Sequence, residues 1–356
     1  MYDKIRVVEV IISMRKMFLF IITLSLALFL FSCGTPKVDD IRDFHTETQN
    51  KMLNENYDLV VSYATGEEEL SVPLPIVLEY EGNGSDNIIK ISENKKMTNY
   101  SIFHSNTNSV EIYNLKANQI YYWTVNDSEA QVFMTTTRPR NLYIDGVTNC
   151  RDLGGWQIEN TKNYVNQGLM FRTSKLTDDY TGNQLITEKG IEQLKQLGIK
   201  TEIDLRKIDV TDDGKEQGGI TQSVVSGVTY ISLPMKSSGN ILTLNKGMLK
   251  DIFKVLGNKD NYPLIFHCSI GTDRTGLVAF LVNGLLGVSE EDLYYDYMFS
   301  NLGLIHGVRT TSTIKSYIQT INFAEGETLK DKIYNILISN GVEKSDIDSM
   351  IEIMTK

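Results

Sequence analysis

The chain has 356 residues, of which 41% are hydrophobic and 22% are charged, and no tract of it is of low complexity. This composition argues against extensive disorder or a fibrous protein, and the length favours two folded domains plus a targeting segment. The formal net charge of −10 argues against non-specific binding of nucleic acid, because such binding needs a basic surface.

The first 33 residues have the pattern of a sorting signal. A basic pair precedes an unbroken apolar run, and a small residue and a thiol close the segment, namely Arg15-Lys16, 17–31 and Ser32-Cys33. The segment resembles a lipoprotein signal peptide, from which the bulky Phe31 is a departure. The resemblance implies a lipidated Cys33 and a location in the bacterial cell envelope, anchored to a membrane and facing the periplasm or the exterior. An uncleaved membrane helix is the alternative, although the run is short for a span of about 20 residues.

Two different patterns follow the signal. Residues 34–56 are polar, and we expect them to be a tether between the membrane and the folded body. Between 57 and 137 short strand-forming runs alternate with turns rich in Gly, Asn, Asp and Ser, which predicts strands at 59–63, 76–80, 88–91, 100–104, 110–113, 120–125 and 131–135. Strands at this spacing predict an all-β sandwich domain. Segment 115–125 resembles the tyrosine-corner strand of a fibronectin type III domain, with Ala117 and Gln119 where that pattern usually has Pro and Thr.

The pattern changes again after Pro139, where strands begin to alternate with long helical segments. Strands are predicted at 201–205, 229–233 and 264–267. Helices are predicted at 183–197, 245–256, 275–286, 290–300, 311–321, 329–338 and 345–354. This alternation predicts an α/β domain over 138–356, with a mainly parallel sheet flanked by helices.

The most informative segment runs from Pro263 to Gly276. A buried strand ends at Cys268, a short loop follows, and a helix begins near Arg274 or Thr275. Such a loop directs successive backbone N–H groups to one point at the positive end of a helix, and that point suits a phosphate dianion. The residues expected to bind the phosphate here are Ser269, Ile270, Gly271, Thr272, Thr275 and His267.

Each residue type in this segment has a chemical reason to be there. Cys268 must be a thiolate to attack phosphorus, and a helix N-terminus with convergent N–H donors lowers a thiol pKa. The planar guanidinium of Arg274 can hold two phosphoryl oxygens. Gly271 permits the backbone torsions of the loop, His267 can hydrogen-bond the loop from behind, and the Thr275 hydroxyl can donate to the sulfur. The predicted chemistry is two-step covalent catalysis that needs neither a metal nor a cofactor.

The motif His-Cys-x5-Arg-Thr-Gly at 267–276 resembles the signature of the cysteine-dependent protein tyrosine phosphatase superfamily, in particular its atypical bacterial group of secreted tyrosine and phosphoinositide phosphatases. The resemblance spans 141–356 and includes 149–155, 171–176, 203–206 and 296–301. It implies a phosphomonoester hydrolase that acts on phosphotyrosine in proteins. A phosphoinositide or inositol phosphate is the alternative substrate. A protein of another class, a non-catalytic phosphate-binding lipoprotein, would not need the thiol.

Two positions depart from the pattern of that group. Thr272 stands where the group often has a lysine, which removes a positive charge that would favour a polyanionic headgroup. Cys150 replaces an aromatic residue, and two interpretations of it remain open. It is either a reversible disulfide partner of Cys268 or a small buried apolar residue.

The general acid that protonates the leaving group is the hardest residue to predict. The separate Trp-Pro-Asp loop usual in the superfamily is absent, and segment 233–238 offers no carboxylate. Asp273, inside the phosphate loop, is the first candidate, and Asp152 is the second. We interpret Asp178 and Asp179 as helix-start acids and Asp204 as the partner of Arg206 or a strand cap. The four histidines have no metal-ligand spacing, so no metal site is predicted.

Overall fold

The computed structural model describes residues 38–54, 68–82, 84–206, 220–237 and 239–356. The expected signal segment 1–33 with its lipidation site Cys33, and the strand expected at 59–63, lie outside these residues. Within the described ranges, every helix is too short or too polar to cross a bilayer. Residues Ile41–Lys356 fold into one compact unit that contains the three sheets discussed below.

Short strands build the first part of this unit. They are β1 Ile41–Arg42, β2 Ile76–Glu79, β3 Asn87–Ser92, β4 Ser101–Ser105, β5 Ser109–Ile112, β6 Ile120–Val125 and β7 Gln131–Thr135. Five of them form one sheet in the order β1-β7-β6-β3-β4, and β2 pairs with β5 in a separate two-stranded antiparallel sheet. The predicted strands at 76–80, 88–91, 100–104, 110–113, 120–125 and 131–135 are therefore confirmed to within a residue or two.

Alternating side chains of the two sheets share a core. Ile76 and Leu78 of β2 pack in the same hydrophobic cluster as Ile89 of β3 and Trp123 of β6. Burial of one such side chain contributes about 1.5–3 kcal/mol to stability. The hydroxyl of Tyr121 accepts a hydrogen bond from the backbone N–H of Lys116 (2.8 Å).

Part of the segment expected to be a tether is regular structure. Strand β1 pairs in parallel with β7, and residues Glu47–Asn54 form helix α1. Met52 is fully buried in the core of the α/β part. The buried Gln49 donates from Nε2 to the carbonyl oxygens of Leu70 (2.7 Å) and Val72 (2.8 Å). Helix α1 was not predicted because its sequence is mostly polar. Its buried polar side chain, Gln49, can lie in the interior because backbone carbonyl groups accept its hydrogen bonds.

The second part of the unit is an α/β layer structure. Its strands are β8 Arg151–Asp152, β9 Met170–Thr173, β10 Thr201–Asp204, β11 Thr229–Ser232 and β12 Leu264–His267. The sheet order is β11-β10-β12-β9-β8, and only β8 runs antiparallel. The prediction of a mainly parallel sheet is confirmed. Strand β12 is central, with β10 on one side and β9 on the other.

Helices surround this sheet. They are α2 Glu188–Gln196, α3 Ile241–Leu244, α4 Lys246–Leu256, α5 Asp273–Leu285, α6 Glu290–Phe299, α7 Ser312–Ile321, α8 Leu329–Ser339 and α9 Lys344–Thr355. Helix α2 begins five residues later than predicted, because the Thr187 side chain accepts from the Gly190 N–H and caps it there. Helix α5 is buried on all sides from Thr275 to Leu285, so it forms the central support behind the loop that precedes it.

Candidate active site

The loop 268–272 joins the central strand β12 to the central helix α5. It lies at the carboxyl end of the parallel strands, where open α/β sheets bind ligands. Asp273 begins α5 directly after it, so the free N–H groups and the positive dipole end of α5 face the loop. The predicted cysteine therefore sits at the most favourable place in the fold for an anion.

Two buried side chains hold the carbonyl groups of this loop. Asn149 donates from Nδ2 to the carbonyl oxygens of Ile270 (3.1 Å) and Gly271 (3.2 Å). Arg172 of β9 donates from Nη2 to the Gly271 carbonyl (2.8 Å). Because the N–H of a trans peptide points opposite to its C=O, tying the carbonyls back turns the following N–H groups towards Cys268.

Gly271 is the residue that the loop geometry demands. Its φ is +71°, and a Cβ added there would lie 2.5 Å from the carbonyl oxygen of Thr173. Both the left-handed torsion and this backbone contact exclude a larger side chain. The remaining loop residues differ in exposure, since Ser269 and Ile270 are partly exposed at the mouth while Thr272 is buried.

The sulfur of Cys268 lies at the floor of the loop and is only 2% exposed. Burial alone would raise the pKa of this thiol. Arg274 and hydrogen bonds from Thr275 and the Gly271 N–H outweigh that effect and hold the pKa below its ordinary value. The buried Thr275 hydroxyl makes no hydrogen bond within the described part of the chain, which leaves it free to donate to a thiolate. The lowered pKa favours the thiolate form of Cys268.

The Arg274 side chain is partly exposed. Its Nη1 donates to the carbonyl oxygen of Leu205 over a long 3.4 Å, and no carboxylate of the described residues pairs with it. Its positive charge lowers the pKa of Cys268. Arg274 can therefore donate to phosphoryl oxygens that enter the loop.

His267 supports the loop from below, as the sequence predicts. Its Nε2 lies 2.9 Å from Glu202 Oε1, and its Nδ1 lies 3.3 Å from the Cys268 carbonyl oxygen and 3.8 Å from Asp204 Oδ1. Burial acts to lower the pKa of His267, but Asp204 and Glu202 act in the opposite direction and the net effect raises it. The two carboxylates of β10 thus stabilise a protonated imidazole under the catalytic loop.

This arrangement predicts a pH-dependent contribution to stability. The folded-state pKa of His267 exceeds its unfolded value, about 6.5. The contribution is therefore complete below that pH and is lost as the pH rises through the folded pKa. The variant His267→Gln keeps an amide donor but cannot titrate. Urea unfolding should show it less stable than wild type by about 1–3 kcal/mol near pH 5.5 and by less near pH 8.5. A difference that stays constant over this range would contradict the prediction.

The two candidate acids occupy different surroundings. Asp273 lies at the start of α5 and is 28% exposed in its side chain. Asp152 is fully buried and pairs with Arg140, and its oxygens also accept from the N–H groups of Gly154 (2.8 Å) and Gly168 (2.6 Å). Asp152 is therefore placed as a structural residue, and its prediction as an alternative acid is not supported, because its side chain is fully buried whereas that of Asp273 is partly exposed.

These features fit one known group of proteins. The profile of the tyrosine phosphatase family matches residues 142–340. The chain belongs to the tyrosine phosphatase family. The matched region contains β8 to β12, the loop 268–272 and the helices α2 to α8.

Two curated relatives of this tyrosine phosphatase family member carry the same name. A tyrosine-protein phosphatase, so named, of Cupriavidus necator is 27% identical over 183 residues, which cover 45% of this chain and 63% of the relative. A tyrosine-protein phosphatase of Nostoc commune is 25% identical over 139 residues, which cover 32% of this chain and 45% of the relative. The chain thus spans less than two thirds of the length of either protein.

Solved structures of phosphatases resemble the chain more distantly. TpbA of P. aeruginosa has a TM-score of 0.32 and 14% identity, over 50% of this chain and 90% of TpbA. The catalytic domain of the PP-IP phosphatase Siw14 of S. cerevisiae has a TM-score of 0.28 and 16% identity, over 45% of this chain and 93% of that domain.

The acids near the phosphate loop of this family member have distinct positions. Asp178 closes the turn before α2 by accepting from the N–H groups of Tyr180 (3.0 Å) and Thr181 (2.9 Å). Asp179, interpreted from sequence as a helix-start acid, instead accepts from the hydroxyl of the loop residue Ser269 and from Lys175 Nζ (2.8 Å). Burial raises the pKa of Asp179, but Lys175, Ser269 and Arg206 lower it to a net value below the ordinary one. Asp179 is thus a carboxylate that fixes one side of the loop.

Cys150 of this family member lies away from the catalytic sulfur. It packs in a hydrophobic cluster with Leu142 and Phe171, whereas Cys268 belongs to a different cluster. Burial raises the pKa of the Cys150 thiol to about 12, which outweighs a hydrogen bond from Thr173. Cys150 therefore behaves as a small buried apolar residue rather than as a redox partner.

Several residues that shape the site were missed by the sequence analysis. Asn149 and Arg172 hold the loop carbonyls, and Asp296 pairs with both Arg151 and Arg172. All four residues lie in segments that match the family pattern, and that match was the signal that could have identified them. Their contacts with the loop could not be predicted from the sequence. Within the described residues, no group of three or more His, Cys, Asp or Glu side chains is arranged to hold a metal ion.

Proposed function

We propose that the chain is a phosphomonoester hydrolase that acts on phosphotyrosine in proteins through a phosphocysteine intermediate. The observation that supports this most directly is the lowered pKa of Cys268, at the floor of a loop of inward N–H groups and beside Arg274. A loop that only bound phosphate would gain nothing from an activated thiol. The non-catalytic alternative is disfavoured for this reason.

The proposed reaction has two steps. Cys268 Sγ attacks phosphorus, the bond from phosphorus to the ester oxygen breaks, and that oxygen takes a proton from Asp273. The loop N–H groups and Arg274 stabilise the equatorial oxygens during the transfer. A water molecule then attacks phosphorus, Asp273 takes its proton, and the P–S bond breaks to release phosphate. Thr275 stabilises the departing thiolate.

Turnover on a panel of phosphomonoesters tests the proposal. We expect wild-type protein to hydrolyse para-nitrophenyl phosphate and to prefer tyrosine-phosphorylated peptides over serine-phosphorylated ones. Absence of turnover, together with measurable binding of inorganic phosphate, would support the non-catalytic phosphate-binding alternative and refute the enzyme.

One observation favours a second substrate class. A cavity of about 480 Å³ adjoins Asp273, and side chains that can hydrogen-bond a polyol line it, among them Ser237, Asn240, Ser312 and Ser316. An inositol ring is such a polyol, so a phosphoinositide or inositol phosphate is the alternative substrate. Comparing kcat/KM for phosphopeptides, phosphoinositide vesicles and soluble inositol phosphates decides between the classes.

We also propose that Cys33 carries a lipid that anchors the protein in the bacterial envelope, facing the periplasm or the exterior. The basic pair, apolar run and Ser32-Cys33 junction of the first 33 residues support this. Metabolic labelling with a palmitate analogue should mark wild type and spare Cys33→Ser, and labelling of both would refute the anchor.

We propose further that the strands preceding the phosphatase part, predicted at 57–137, form a fibronectin type III-like domain. The contact from the Lys116 N–H to the Tyr121 hydroxyl and the core shared by two β-sheets support this. A solution structure with a strand order different from that of the type III fold would refute it.

A further inference from the structure

Asp273 is held in one orientation by side chains from outside its own helix. Its Oδ1 accepts from Arg309 Nε (2.9 Å) and from the Tyr297 hydroxyl (3.0 Å), and its Oδ2 accepts from Arg309 Nη2 (2.8 Å). The contact with Arg309 is thus bidentate, which fixes the plane of the carboxyl group as well as its position.

Arg309 is itself fixed. Its Nη1 donates to the carbonyl oxygens of His306 (3.0 Å) and Gly307 (2.8 Å). Its backbone N–H donates to Asn301 Oδ1 (2.8 Å), and its carbonyl oxygen accepts from Asn301 Nδ2 (2.9 Å). The side chain is 22% exposed. The guanidinium therefore has a defined direction in the free protein, as a group that positions another must have.

Segment 296–301, a family match to which the sequence analysis gave no role, connects these contacts. Asp296 pairs with Arg172, which holds the Gly271 carbonyl, while Tyr297 contacts Asp273 and Asn301 holds Arg309. One turn and a half of helix thus fixes both the phosphate loop and the carboxyl group beside it.

A cavity of about 480 Å³ lies next to Asp273, and Asp273, Arg309 and Tyr317 are among the side chains that line it. The Asp273 side chain is 28% exposed. A group held in this cavity can therefore reach the Asp273 carboxyl group, which makes the cavity a suitable place for the leaving group of the substrate.

Resting on the proposed phosphatase function, we propose that Arg309 is a positioning residue that directs the Asp273 carboxyl group towards the leaving-group oxygen at the wall of this cavity.

The dependence of the rate on the leaving group is a readout that a purely structural role would not move. A poor leaving group needs a proton as its bond to phosphorus breaks, whereas a good leaving group departs without one. A misdirected Asp273 carboxyl group should therefore slow hydrolysis of an ester with a poor leaving group more than that of an ester with a good one.

The experiment compares Arg309→Gln and Arg309→Lys with wild type on two substrates, phenyl phosphate with a poor leaving group and para-nitrophenyl phosphate with a good one. Misplacing a catalytic group costs up to about 10²-fold, so Arg309→Gln should lower kcat/KM for phenyl phosphate by about 10- to 100-fold and for para-nitrophenyl phosphate by much less. Arg309→Lys should recover little of the rate on phenyl phosphate, because lysine keeps the charge but cannot make the bidentate contact.

Arg138→Gln is the matched control, because Arg138 also pairs with an aspartate, Asp292, but away from the loop. It should leave the rates on both substrates unchanged, and thermal unfolding shows whether each variant is folded. Equal losses on both substrates in Arg309→Gln would overturn the role of Arg309. Inactivity of wild type on every phosphomonoester would instead refute the proposed function itself, so the two failures are distinguishable.

Discussion

Cys268→Ser is expected to abolish turnover of para-nitrophenyl phosphate, lowering kcat by at least about 10⁴-fold, as removal of a nucleophile does in other covalent enzymes. Arg274, Thr275 and the Gly271 N–H lower the pKa of the Cys268 thiol and so favour its anion. The same contacts cannot ionise a serine hydroxyl, which is a far weaker acid. Steady-state release of para-nitrophenol measures the loss.

Cys150→Ser is the control for that experiment, because Cys150 is the other buried cysteine of the described residues. It lies in a different hydrophobic cluster, and its thiol stays protonated at neutral pH. We expect it to retain activity if it folds. Inorganic phosphate should still bind to Cys268→Ser, since the loop N–H groups and Arg274 remain. Comparable turnover by Cys268→Ser and wild type would refute the nucleophile.

Arg274→Lys is expected to lower kcat/KM by about 10²- to 10³-fold, the cost of removing one well-placed donor from a transition-state site. A lysine supplies charge but not the planar pair of donors that can hold two phosphoryl oxygens. Charge and geometry can be separated by the pH dependence of Cys268 alkylation with iodoacetamide. Arg274→Lys should keep the lowered thiol pKa, whereas Arg274→Gln should lose part of it, because Arg274 contributes to that lowering.

Arg138→Lys serves as the matched control for this substitution, since Arg138 pairs with Asp292 and does not contact the loop. It should leave kcat/KM unchanged. If Arg274→Lys retained full activity, bidentate binding of phosphate by this residue would be ruled out.

The catalytic loop could be predicted because its information is local. The pattern of residues 264–276 predicts a strand, then a cysteine, a turn that contains a glycine, and a helix. In the structure, β12 and α5 lie at the predicted positions. The positions of the other strands were equally readable from alternation and turns. Helix α1 was not, because its polar residues find partners such as the carbonyl oxygens of Leu70 and Val72, which no local pattern shows.

The acid side of the site was harder to predict because it depends on distant contacts. Arg309 lies 36 residues from Asp273, and nothing in the sequence between them indicates that they pair. Asp152 stands in a segment that matches the family, yet the match reflects its buried pair with Arg140. A segment that matches the family thus indicates residues near the site. It does not distinguish catalytic residues from residues that hold the site in place.

The residues before β2 determine where a stable fragment of the protein can begin. Phe44 packs in the core of the strand-built part, and Met52 packs in the core of the α/β part. Gln49 accepts from Asn141 Nδ2 (3.1 Å), at the start of the α/β part. A fragment that begins at the predicted boundary, residue 138, or even at residue 57 would lack side chains from both hydrophobic cores. Its Asn141 side chain would also lose Gln49 Oε1 as a hydrogen-bond acceptor. The shortest stable catalytic fragment should therefore start no later than Ile41.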